Sequence, residues 1–228
     1  MPETPTPENR EHEVSRGKIR EASLEAGEYF SDAYFAVRQL CSQALQIHFI
    51  HAMRPSDVLE IGIGNGLTSM FLRRAGLRVT TADINRHLAP DVCGSIEELP
   101  HLLSGREFDV VVCCEVLEHL PLSDLDGSLR VMRTLGRRLF LTLPVQLPRR
   151  QCGFGGFLTL PLLGDRLLSA DVALSFKKHA LTEQHFWEVN HDKSCSVGAI
   201  VGRLRKLYSS VRSGRFALNP YHAWFIAE

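Results

Sequence analysis

Residues 57–66 read Asp-Val-Leu-Glu-Ile-Gly-Ile-Gly-Asn-Gly. Residues 58–61 are a short apolar run, the pattern of a buried strand. Gly62, Gly64 and Gly66 follow at alternate positions, and residues 67–74 (Leu-Thr-Ser-Met-Phe-Leu-Arg-Arg) have helical composition. A strand that turns through glycines into a helix lets backbone approach a ligand closely, because the turn carries no side chains. The free N–H groups of the helix start suit a polar or anionic group.

Strand and helix signals alternate beyond this turn. Residues 77–82 form a second strand ending on Asp83, and residues 95–103 make a short third unit. Residues 108–114 are a strongly apolar strand, and a helix over 123–135 is expected to be capped by Gly136. Residues 138–144 form another strand and residues 197–207 a helix. A closing pair of strands, 216–218 and 222–226, surrounds Asn219-Pro220. Near-continuous apolar strands argue for a mostly parallel sheet covered on both faces. Their alternation with helices predicts an α/β fold, doubly wound and Rossmann-like, with an antiparallel C-terminal strand.

Ahead of the first strand, residues 14–27 read as a loose helix and residues 28–53 as a stronger one. Tyr34, Val37, Leu40, Cys41, Ala44, Leu45, His48 and Phe49 recur at helical spacing, which predicts a core-facing apolar side. Arg54-Pro55 ends it. The 228 residues fit one domain over 18–228, with residues 18–53 as N-terminal helices over the site. Residues 146–195 form a long insertion, Gly/aromatic-rich at 152–157, expected to wall the substrate side or to bind a partner.

The polar, Pro-rich start reads as a disordered tail over 1–17 with no apolar signal region, so the expected location is cytoplasmic. No run of about 18 apolar residues predicts a membrane span. The six cysteines form no Cys-x-x-Cys pair and are expected to be buried, reduced thiols. Residues 1–114 carry 11 basic and 16 acidic side chains (11 − 16 = −5), and residues 115–228 carry 15 and 10 (15 − 10 = +5). The basic second half favours an anionic or glycosylated acceptor. Without a dense Lys/Arg stripe and interleaved aromatics, nucleic acid is not the expected partner.

A dinucleotide turn requires Gly-x-Gly-x-x-Gly, and its third glycine position is here Leu67. Instead the chain has Glu60-x-Gly62-x-Gly64-x-Gly66, with Asp83 closing the second strand. Ser95-Ile96-Glu97-Glu98-Leu99-Pro100 follows, then residues 108–121, Phe-Asp-Val-Val-Val-Cys-Cys-Glu-Val-Leu-Glu-His-Leu-Pro. This conjunction resembles the class I S-adenosylmethionine-dependent methyltransferases over roughly residues 58–144, and the fourth motif is similar to that of the ubiquinone-pathway O-methyltransferases. The resemblance implies S-adenosyl-L-methionine as cofactor. Gly62, Gly64 and Gly66 would host its amino-acid end, and Glu60 would orient the turn. Asp83, with Ile84 beside it, would hold the ribose hydroxyls. Ser95 and Ile96 would border the adenine, and Cys114 and Glu115 the methyl group.

The implied activity is methyl transfer to a small-molecule acceptor, with O-methylation expected. A base is needed only for a weakly acidic hydroxyl, and His119 is the candidate. Glu115, Glu118 and His119 would share a face if helical, and two carboxylates with an imidazole suit a divalent cation. That arrangement resembles the metal site of small-RNA 3′-terminal ribose methyltransferases, whose histidine pattern is only partly matched at 182–188 (Thr-Glu-Gln-His-Phe-Trp-Glu). The primary expectation is no metal. A metal-dependent RNA ribose methyltransferase and a non-catalytic binding protein retaining the fold are the alternatives. His179, His185, His191 and Trp187 either line a substrate pocket or belong to an amphipathic helix with core aromatics.

Overall fold

A computed structural model describes residues 17–160 and 164–228. The expected tail and the start of the first helix fall outside these residues, except Gly17, which is buried in a helix over 17–23. The labelled strands are β1 Asp57–Ile61, β2 Arg78–Asp83, β3 Val92–Cys93, β4 Phe108–Cys114, β5 Gly136–Pro144, β6 Gln151–Leu160, β7 Gly164–Ala173, β8 Val211–Phe216 and β9 Asn219–Ala227. The longer helices are α1 Val37–Ala52, α2 Leu67–Arg74, α3 Leu125–Leu135 and α4 Val197–Leu204.

Seven strands form one sheet in the order β3-β2-β1-β4-β5-β9-β8. β1, β2, β3, β4 and β5 pair in parallel, while β9 runs antiparallel to β5 and to β8. The expected doubly wound α/β sheet with an antiparallel end is what the chain forms. Period-two alternation sends side chains into two cores, one on each face. Leu59, Ile61, Val111, Cys113, Leu139 and Leu141 meet Leu129, Met132, Ile200 and Leu204, within α3 and α4. Val58, Val110, Val112 and Phe140 pack instead with Ile50 of α1 and Leu72 of α2.

Several expectations are corrected. Residues 28–53 are not one helix: Ala26–Phe30 is a 3-10 turn, Asp32–Phe35 a single helical turn, and α1 begins only at Val37. The predicted apolar face of α1 is also displaced. Ser42, Gln43, Gln46 and Ile50 are buried, whereas Val37 is 76% exposed. Gly136 does not cap α3 in a left-handed conformation; it is extended (φ −159°) and opens β5. A Cβ there would lie 2.7 Å from Val111 Cγ2, so close strand approach explains the glycine. Gly76, by contrast, has φ +90° at the end of α2, as a left-handed terminator should.

Residues 177–192 form no regular helix, although Trp187 is 2% exposed and donates to Leu120 O at 3.0 Å. The long insertion holds a separate antiparallel hairpin, β6–β7, with Phe154 and Phe157 exposed. All six cysteines are free, and only Cys113 and Cys195 are buried; Cys93 and Cys152 are exposed. Among the described residues no helix is long and apolar enough to cross a membrane.

Candidate active site

A cavity of about 370 Å³ opens at the carboxyl ends of β1, β2 and β4, under residues of the N-terminal segment. Its floor is the glycine turn. Gly62, Gly64 and Gly66 have φ of +78°, +50° and +73°, a region that side chains resist. A Cβ on Gly62 would lie 2.2 Å from Val116 Cγ2, so the turns after β1 and β4 touch where that side chain is missing. Gly62 and Gly64 line the cavity; Gly66 does not, and serves as the N-cap of α2.

Asp83 ties the first two turns together. Its Oδ2 accepts from Ile63 N at 2.9 Å and its Oδ1 from Asn85 N at 2.8 Å. Burial still raises its carboxyl above the usual range, outweighing those hydrogen bonds. Glu60 lies deeper and its Oε2 has no partner. Burial pushes its carboxyl up to about 8, against the opposing pull of Ser69 and Arg73. Ile84, Ser95 and Ile96 line the adjoining wall, with Ile96 buried and Ser95 Oγ donating to Glu98 Oε2 at 2.8 Å.

Cys114 and Glu115 line the opposite side. Glu115 has φ +52°, and the helical register expected for Glu115, Glu118 and His119 is absent. Only Leu117–His119 forms a 3-10 turn. The left-handed residue turns Glu115 away, so that Gln46 Nε2 donates to its Oε2 at 3.2 Å and Thr142 Oγ1 donates to its Oε1. Glu118 and His119 meet His185 instead, with ligand atoms all within 4.8 Å. Glu118 is 1% exposed and neither carboxylate oxygen has a partner. Burial drives its carboxyl well above the ordinary range, and the Glu115 charge adds to this.

His119 lines the cavity. Its Nδ1 is 3.2 Å from Arg20 and 3.1 Å from Gln184 O. Burial holds the imidazole below its usual range against the Glu21 charge, with His185 and Arg20 adding to the depression. Behind it, Glu188 is fully buried and bonds His179 Nε2 at 2.8 Å, His185 Nδ1 at 3.0 Å and Tyr221 Oη at 2.9 Å. His179 is thus spent on Glu188, and His191 is exposed.

Residues 18–53 are expected over the site, but the sequence singles out none of their side chains for it. Glu21, Tyr29, Tyr34, Gln39, Gln43 and Gln46 all line the cavity. The last three stand at i, i+4 and i+7 on α1, a legible stripe that polarity alone assigns to solvent. Among the described residues of 146–195, only Gln184 contributes to this wall.

Residues 59–138 match the family described as "Methyltransferase domain". The chain is 33% identical over 93 residues to the ubiquinone biosynthesis O-methyltransferase of Ralstonia nicotianae, covering 34% of this chain and 39% of that protein. It therefore matches about two fifths of that relative's length. Among solved structures, the 1,6-didemethyltoxoflavin-N1-methyltransferase of Burkholderia thailandensis, with bound 1,6-didemethyltoxoflavin and S-adenosylhomocysteine, is similar at a TM-score of 0.61 and 15% identity. That match covers 100% of this chain and 92% of the other. The magnesium protoporphyrin IX methyltransferase of Synechocystis, with bound S-adenosylhomocysteine, matches at 0.54 and 18%, over 96% and 97% of the two chains. Residues 59–138 accordingly resemble the methyltransferase domain family, and the described chain shares its fold with these two solved methyltransferases.

Proposed function

We propose that this chain transfers a methyl group from S-adenosylmethionine to a small-molecule acceptor, by O-methylation, in the cytoplasm. The observation carrying the reading is the glycine turn and Asp83 bonded together at the strand ends of one cavity. The residues fit the donor: Glu60 presents an orphaned buried oxygen to a cationic group, and Asp83 keeps acceptor capacity for two ribose hydroxyls. When bound, the donor supplies an electrophilic methyl on a sulfonium. Gly62 and Gly64 cradle its amino-acid end, and Ile96 walls the adenine. His119, neutral at pH 7 by its depressed pKa, takes the acceptor hydroxyl proton as the oxygen gains the methyl. Enclosure aligns the reactants and excludes water.

Calorimetric titration with S-adenosylhomocysteine and with NAD tests this. The first binds and the second does not; Asp83→Ala weakens the first by about 1–3 kcal/mol, the scale of hydrogen bonds to a buried charged group. No binding of S-adenosylhomocysteine would sink the reading.

A second reading, metal-assisted transfer to a ribose hydroxyl, is favoured by one observation. Glu118, His119 and His185 converge with both Glu118 oxygens unpartnered. Glu188 would orient His185 from behind, as metal-bound histidines require. Titration with manganese then gives stoichiometric binding that Glu118→Gln abolishes; an absence of heat at millimolar metal removes this reading.

A further inference from the structure

The cavity wall is far more acidic than the chain. Among the described residues, Glu21, Glu28, Glu60, Asp83, Glu97 and Glu115 line it, against Lys18 and no arginine. Even with Glu60 protonated, the acids outnumber the lysine. Lys18 is moreover engaged with Glu97 at 2.9 Å, and Glu21 with Arg20 at 2.5 Å. The basic surplus of the second half lies elsewhere: Arg130, Arg149, Arg150 and Lys177 are exposed, and none reaches this wall.

Glu115 stands apart among these acids. Asp83 and Glu60 face the glycine turn, whereas Glu115 closes β4 on the far side and is met by α1. Among the described residues its close partners are Gln46, Thr142 and, at 3.7 Å, His222; no lysine or arginine pairs with it. The His222 Nδ1 is itself bonded to Ser42 Oγ at 2.9 Å. A second group on the same wall has unused acceptor capacity. Gln43 is 8% exposed, its Nε2 donates to Asn65 Oδ1 at 2.9 Å, and its Oε1 has no partner. The vacant capacity is therefore all acceptor, carrying negative charge. An anionic occupant would add like charge to this wall, while a donor-rich cation would offset the Glu115 carboxylate, which has no lysine or arginine partner among the described residues.

We propose that the acceptor molecule carries an ammonium group that docks on Glu115, with Gln43 Oε1 accepting a further N–H. The proposal rests on the methyl-transfer reading and names the substrate class of that site. It reverses the anionic acceptor expected from the charge of the second half. A protonated ammonium has no lone pair, so the docked nitrogen orients the molecule while its hydroxyl is methylated. The hydroxyl O–H breaks as the O–CH₃ bond forms and the S–CH₃ bond breaks. The sulfonium leaves as a neutral thioether and the proton passes to His119.

The test is a ligand-observed magnetic-resonance screen of the full chain at saturating S-adenosylhomocysteine, with saturation checked by calorimetry. Two panels share the same aryl and alkyl hydroxyl frames, one ending in an ammonium (tyramine, ethanolamine) and one in a carboxylate (4-hydroxyphenylacetate, glycolate). Ammonium members bind at least tenfold tighter than their carboxylate mates, and Glu115→Gln removes that preference. Carboxylate members binding as well, no ammonium member binding, or a preference that survives Glu115→Gln each overturns the proposal. The wild-type comparison decides alone if the substituted chain does not fold. Failure of the methyl-transfer reading is separate: it would show as no S-adenosylhomocysteine binding before any panel is added.

Discussion

Glu60 shows that a sequence names the residue type at a position but not its charge state. The sequence puts an acid just before the glycine turn; the structure buries it, and that burial outweighs the pull of Ser69 and Arg73, so the carboxyl is raised to about 8. A carboxyl whose folded pKa lies above its unfolded value stabilises fully below the unfolded value, about 4.3. That contribution is lost as pH rises through about 8. Wild type should therefore lose stability relative to Glu60→Gln between pH 5 and pH 9, by up to about 1.4 kcal/mol per pH unit. Urea unfolding at both pH values checks this, and parallel pH dependence in the two proteins would rule Glu60 out as the cause. Asp83 was equally legible, because its distance from the glycines is fixed by one strand–helix–strand unit. The unpartnered state of Glu118 was not legible, since it depends on the path of the chain after β4.

Elements were read best where apolar runs are long. β1, β2, β4 and β5 fall within a residue or two of expectation, because strands buried on both faces have little polar alternative. α1 failed for a related reason. Val37 and Leu40 stay exposed while its polar stripe lines the cavity, so periodicity pointed to the wrong side. Gly136 was taken for a helix terminator when its role is set by a neighbouring strand. Gly136→Ala should cost about 1–3 kcal/mol from overpacking against Val111. An unchanged denaturation midpoint would mean that β4 and β5 separate to admit a methyl group.

At the scale of the whole molecule, the glycine-turn side of the cavity is written in contiguous motifs and the opposite side is not. The acceptor wall is assembled from α1, the N-terminal segment, the turn after β4 and Gln184, distant in sequence and each unremarkable alone. Net charge by halves does not report on this wall, since exposed charges elsewhere are screened within about 10 Å in solution. The N-terminal segment carries one more consequence. Lys18 holds Glu97, Leu24 O accepts from Asn85 on the donor side, and Arg20 reaches His119 and Gln184 O on the acceptor side. One strap is thus buckled to both banks of the cleft. On the proposed activity, product departure and donor reloading would both loosen these contacts, and turnover would follow the strap rather than the chemistry beneath it.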